Sequence, residues 1–151
     1  MAEVSESVEI AGSRDEVWAV LADFGAIVEW APNVDHSCLT TAEGEGVGAT
    51  RRVQVGRNAL LERIVEWSPG DALAYELDGL PPIVRSATNR WSLAGEGDTT
   101  SVMLATSIDT GSRPPQRAVG RVVGRSLAKA SRQMLDGLKA QVEAAQMEEH
   151  S

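Results

Sequence analysis

The stretch SVMLATSIDTGSRPPQRAVGRVVGRSLAKASRQMLDGLKAQVEAAQ, residues 101–146, decides the fold. Ser101 to Ile108 reads as a strand, and Arg113-Pro114-Pro115 marks the break after it. From there to about Gln146 no further proline occurs, and Ala, Leu, Arg, Lys and Gln, all helix formers, dominate. Gly120, Leu127, Ser131, Met134, Leu138 and Val142 keep to a three- and four-residue rhythm, which gives this long helix one inward stripe.

Upstream, the pattern is a series of strands. Ile83 to Leu93 joins Ser101 to Ile108 through a Gly95-Glu96-Gly97-Asp98 hairpin turn. Before it come Val34 to Thr41, Ala49 to Val55, Leu60 to Trp67 and Leu73 to Leu77, separated by Gly-, Asn-, Asp- and Pro-rich turns. Glu3 to Ile10 alternates as a half-buried strand, with Val4, Val8 and Ile10 on one face and Glu6 as the exception. Ser13 with Glu16 forms a capping box that opens a first short helix, and a second covers Phe24 to Trp30 before Pro32. Seven short strands joined mostly by hairpins imply an antiparallel sheet, which can bury one face only against the terminal helix. The expectation is an α+β domain over residues 1–148.

Composition narrows the function. The chain has 151 residues, a net charge of −8, and 42% apolar residues. No apolar run approaches the ~20 residues that a bilayer requires. The first residues lack the basic start and apolar core of a signal peptide, which reads as cytoplasmic. Net negative charge argues against general nucleic-acid binding. A single cysteine, Cys38, excludes an internal disulfide framework and a Cys-rich zinc site. Neither a metal nor a cofactor is expected. Only six residues are aromatic (four Trp, one Tyr, one Phe), so the interior is either filled by other means or left with space.

In its element order the chain resembles the START-like superfamily, which includes polyketide cyclase/dehydrase-like, lipid-transport and birch-pollen-allergen-like helix-grip proteins. The likeness rests on several short passages. Ser13-Arg14-Asp15-Glu16-Val17-Trp18 resembles the start of that family's first helix. Phe24 through Trp30-Ala31-Pro32-Asn33-Val34 resembles its passage into the second strand. Leu61-Glu62-Arg63-Ile64 and Trp67-Ser68-Pro69-Gly70 resemble its Glu-Arg strand and the turn that follows. The resemblance implies a helix-grip fold: a seven-stranded antiparallel sheet wrapped around the long C-terminal helix, with two short helices after strand 1. It also implies an apolar cavity for a hydrophobic or amphipathic small molecule such as a lipid or polyketide, and a glycine-rich loop, here Gly44 to Gly48, at the cavity mouth. Some members are enzymes, and the fold alone does not supply the activity.

Strand alternation assigns Leu73, Tyr75 and Leu77 inward, and Ala74, Glu76 and Asp78 to water. Leu60 to Val65 is apolar on both faces, so alternation leaves Glu62 either inward or exposed beside Arg63; the resemblance favours Leu60, Glu62 and Ile64 inward. Arg51, on one face with Val53 and Val55, or else Arg90, would then pair with Glu62. Ser86 and Thr88 join this set as groups that hold a ligand carbonyl or hydroxyl. Trp30, Leu127, Ser131 and Met134 complete the expected ligand-binding residues. An enzyme of the cyclase or dehydratase type would need Glu62 or His36 as acid or base beside an Arg. Alternatively, His36 is a solvated side chain.

The ridge Arg117, Arg121, Arg125 and Lys129 admits two readings. One is contact with anionic lipid headgroups or an acidic partner; the other is a solvated face balanced by acids elsewhere. Assembly is expected as a monomer or homodimer. Ile108-Asp109-Thr110-Gly111-Ser112 copies an aspartic-protease signature, but that chemistry needs two such carboxylates, and a turn is the ordinary reading.

Overall fold

A computed structural model describes residues 2–80, 84–109 and 114–149, except for the side chains of residues 2, 114–124, 126, 127 and 146–149. The elements run β1 (Ala2–Ile10), α1 (Arg14–Ala22), a 3-10 segment (Phe24–Glu29), β2 (His36–Leu39), β3 (Thr50–Val55) and β4 (Asn58–Ser68). They continue with β5 (Ala72–Asp78), β6 (Ser86–Ala94), β7 (Thr100–Asp109) and α2 (Pro114–Glu149). The seven strands form one antiparallel sheet in the order β1-β7-β6-β5-β4-β3-β2. This is the α+β helix-grip arrangement, with its two short helices after β1. No helix among the described residues is long and apolar enough to cross a membrane.

Local chemistry sets the elements. Ser13 caps α1: its Oγ accepts from Glu16 N–H and the Glu16 carboxylate accepts from Ser13 N–H, both at 3.2 Å. β2 is shorter than the expected Val34 to Thr41. Ser37 Oγ accepts from Val28 N–H at 3.1 Å and donates to the Gly25 carbonyl at 2.8 Å, so the 3-10 segment is tied to this edge strand. In β4 a bulge between Ile64 and Glu66 reverses the inward parity, from Glu62 and Ile64 before it to Trp67 after it.

α2 packs on β1, β7 and α1. Arg132 explains why Glu6 sits on the inner side of β1: its guanidinium lies 3.9 Å from the Glu6 carboxylate and donates to the Ser7 carbonyl at 2.7 Å. Lys139 donates to the Glu9 carbonyl and to Glu143, whose carboxylate also accepts from Ala11 N–H at 2.9 Å. The Lys139 hydrogen bond, helped by Ala11, holds the Glu143 carboxyl below its usual range. At Gly137 the helix meets the chain before β2 so closely that a Cβ would overlap the Trp30 carbonyl and lie 2.8 Å from the Pro32 ring. Only glycine fits there.

All six aromatic side chains form three edge-to-face pairs, and each pair joins the short helical region to the sheet. Trp18 meets Trp67 at 5.1 Å between ring centroids, Phe24 meets Tyr75 at 5.6 Å, and Trp30 meets Trp91 at 5.7 Å.

Candidate functional site

Beyond the aromatic cluster the interior is hollow. A cavity of about 360 Å3 lies between the ends of β3, β4 and β5 and the middle of α2. Val53, Val55, Leu60 and Leu77 line it from the sheet, Ile27 and Val34 from the segment before β2, and Ala130, Ser131 and Met134 from α2. Gly79 and Leu80 border it after β5. Gly79 has a φ of +96°, and a Cβ there would stand 2.7 Å from the Ala59 carbonyl, so this close crossing requires glycine.

One ionisable side chain among the described residues lines the cavity, Glu62, and it is 5% exposed. It lies directly opposite Arg51 in the β3–β4 register, with both side chains inward. Arg51 Nε and Nη2 each approach Glu62 Oε1 at 2.7 Å, and Nη1 donates to the Phe24 carbonyl at 2.8 Å. The guanidinium also lies 3.7 Å from the Phe24 ring centroid and 4.7 Å from that of Tyr75. Its charge is thus met by a carboxylate, a carbonyl and two ring faces. Removing one partner from such a pair leaves a bare buried charge, at a typical cost of about 3–5 kcal/mol.

A second polar feature follows from strand register. Tyr75, Asn89 and Thr106 stand side by side across β5, β6 and β7. Thr106 Oγ1 lies 2.6 Å from Asn89 Oδ1, a length that fits an O–H donor, so Thr106 donates. Asn89 Nδ2 then donates to the Tyr75 hydroxyl at 3.3 Å, and Trp91 Nε1 donates to the same oxygen at 3.2 Å. Burial first, and the Glu62 charge second, hold the Tyr75 phenol above its usual pKa, so it stays protonated at neutral pH. Asn89 and Thr106 line the cavity, and so does Asn33, whose Oδ1 is buried without a hydrogen-bond partner among the described residues.

Of the expected ligand-binding residues, Val53, Val55, Leu60, Glu62, Leu77, Ser131 and Met134 reach the cavity wall. Arg51 lies directly behind Glu62. Trp30 and Tyr75 are buried in the aromatic cluster instead of lining the space. Ser86, Thr88 and Arg90 require a correction: they occupy the outer face of β6, because Ala87, Asn89, Trp91 and Leu93 take its inner positions. Arg90 pairs there with Glu66 at 2.8 Å, not with Glu62. That ion pair spans Ala74, which stands between the two residues in register and is buried although it faces outward.

His36 is exposed on the edge strand, away from the cavity, and Cys38 is exposed beside it. The Gly44 to Gly48 loop does not border the cavity. Its first residues, Gly44 and Glu45, lie with Glu43, Leu39 and α1 in a separate surface groove. The Leu127, Arg117 and Arg121 side chains, and residues 110–112 of the protease-like motif, lie outside the described residues; Arg125 and Lys129 are exposed. Among the described residues no group of three or more His, Cys, Asp or Glu is placed to hold a metal.

Asn33, Asn58, Asn89 and Thr106 are polar lining residues that the sequence reading missed, and for Asn89 and Thr106 a signal was present. The apolar alternation Trp91-Leu93 and Val102-Leu104 carries the signal, since stepping back from the first pair and forward from the second by twos turns both residues inward.

An antiparallel sheet closed by one long helix over an apolar cavity defines a helix-grip protein. The chain belongs to the polyketide cyclase/dehydrase and lipid transport family, whose model matches residues 1–143. Its fold is similar to the Zhui aromatase/cyclase from Streptomyces sp. R1128, with a TM-score of 0.79, 20% identity, and coverage of 94% of this chain and 93% of that one. A START superfamily protein from Mycobacterium smegmatis gives a TM-score of 0.72 at 18% identity, covering 95% and 98%. The di-domain aromatase/cyclase BexL of the BE-7585A biosynthetic pathway gives 0.78 at 19% identity; the match covers 95% of this chain and 47% of that one. Comparison with curated proteins finds no match. Family membership supports a ligand-binding or cyclase role, and these neighbours show the fold.

Proposed function

We propose that the protein binds an apolar or amphipathic small molecule in the cavity between the sheet and α2, and serves as a binding or transport protein. The observation that carries this reading is a space of about 360 Å3 walled mainly by aliphatic side chains, with a few convergent polar groups. The family description, which includes lipid transport, supports it.

A cyclase reading draws on the same family description and on the aromatase/cyclase neighbours. Acid–base catalysis works best with a positioned acid and base of separated pKa. Among the described residues the cavity offers Glu62 alone, and its Oε1 is already held by Arg51. Binding therefore accounts for the geometry with fewer parts.

Titration with the neutral fluorescent probe N-phenylnaphthylamine tests the proposal. Saturable one-to-one enhancement is expected, together with an apolar compound in solvent extracts of the purified protein. Absence of both sinks the cavity reading.

A further inference from the structure

We propose that the cavity selects a ligand whose polar end donates hydrogen bonds and carries no negative charge, an alcohol or phenol head, and that it rejects a carboxylate of the same size. The inference rests on the binding reading and deepens it by naming the ligand's chemistry.

The one charged group facing the space among the described residues is negative. Both Arg51 contacts fall on Glu62 Oε1, so Oε2 receives no hydrogen bond from the described residues, and Glu62 lines the cavity. Thr106 uses its one proton on Asn89, so its remaining capacity is to accept. Asn33 Oδ1 is a buried acceptor without a partner among the described residues. The Ser131 hydroxyl and the Asn33, Asn58 and Asn89 amides bring donors as well as acceptors, so the one carboxylate sets the sign of the site.

No cationic side chain among the described residues lines the space to balance this set. Arg51, the nearest cation, is occupied by Glu62 and the Phe24 carbonyl and covered by the Phe24 and Tyr75 rings. An incoming carboxylate would meet a like charge in an apolar enclosure and would lose its own hydration there. An alcohol or phenol gives Glu62 Oε2 the donor it lacks and accepts the second N–H of Asn89, which has one proton beyond that given to Tyr75.

Four two-ring probes of one shape separate the possibilities on the unmodified protein at neutral pH: naphthalene, naphthol, naphthoate and naphthylmethylammonium, each followed by calorimetry. Naphthol is expected to bind about tenfold or more tighter than naphthoate, and tighter than naphthalene. The ammonium probe is expected to bind tighter than naphthoate, because general exclusion of ions would reject the two alike whereas Glu62 distinguishes them by sign. Naphthoate equal to or tighter than naphthol, or equal to the ammonium probe, overturns the inference while leaving the cavity reading in place. Naphthol no tighter than naphthalene overturns it too. Failure of all four to bind removes the cavity reading itself, and this inference with it.

Glu62→Gln frees Arg51 and is expected to reverse the order of naphthoate and the ammonium probe; an unchanged order overturns the assignment to Glu62. Should that variant not fold, the ranking on the unmodified protein decides alone.

Discussion

The inner side of the sheet has two halves built to opposite ends. Under α1 and the 3-10 segment every aromatic residue of the chain is gathered into edge-to-face pairs, and Trp91, Tyr75 and Phe24 are fully buried. Under the middle of α2 no aromatic residue lines the wall, and about 360 Å3 stays open. Arg51 and Glu62 stand at the border, with Arg51 against the Phe24 and Tyr75 rings and Glu62 at the cavity. Scarce aromatic bulk is therefore a matter of distribution: what there is braces one half, so the other can stay hollow without loss of the fold. The contrast predicts that stability is concentrated in one half and ligand binding in the other.

The largest effect is expected from truncating the filled half. Trp91→Ala removes a fully buried ring, its pair with Trp30 and a donor to Tyr75. A loss of about 3–5 kcal/mol is expected in chemical denaturation. A loss below about 1 kcal/mol, the scale of an ordinary surface change, would show that this half is loosely packed and break the contrast.

Enlarging a side chain sharpens the comparison, because two positions seven residues apart on α2 should respond oppositely. Gly137→Ala pushes a methyl into the Trp30 carbonyl and the Pro32 ring, and is expected to destabilise by about 1–3 kcal/mol or more. Ala130→Leu extends into the cavity and is expected to change stability by less than about 1 kcal/mol, while abolishing probe binding. Equal destabilisation at both positions would mean that the open space is not available to a larger side chain.

Much of this organisation can be read along the chain, and the exceptions have physical causes. Element order, the capping box at Ser13 and the inward stripe Ser131, Met134, Leu138 and Val142 of α2 follow local patterns, so the sequence reveals them. Glu62 could not be assigned a face by alternation, because Leu60 to Val65 is apolar on both sides and the bulge at Val65 changes parity within the strand. Sequence leaves Arg51 and Arg90 as its candidate partners, and register decides for Arg51 by setting it directly opposite. On β6 the choice of Ser86, Thr88 and Arg90 as cavity residues conflicts with the alternation of Trp91 and Leu93. The alternation prevailed, since a Trp turned to water would forfeit far more apolar burial than an inward Asn89 costs once Thr106 and Tyr75 satisfy it. The aromatic pairs join residues 49 to 61 positions apart, and no local pattern shows that.

The smallest effect belongs to the outer face, where the two halves should not differ. Arg90 binds Glu66 through two hydrogen bonds of 2.8 and 3.1 Å, but both side chains remain well exposed to solvent. Such pairs contribute about 0–1 kcal/mol, and Arg90→Ala is expected to fall within that range. The Arg90 hydrogen bond holds the Glu66 carboxyl below its usual pKa. A depressed carboxylate contributes stability above its unfolded pKa and loses it as pH falls through the folded value. The stability gap between the unmodified protein and Arg90→Ala should therefore be widest above the ordinary carboxylate range and narrow on acidification. Thermal melts of the two proteins across that range measure it. A residual gap in acid would report the aliphatic stem of Arg90 lying over Ala74, which the ion pair covers. A gap that did not narrow at all would assign the whole effect to that cover and none to the charge.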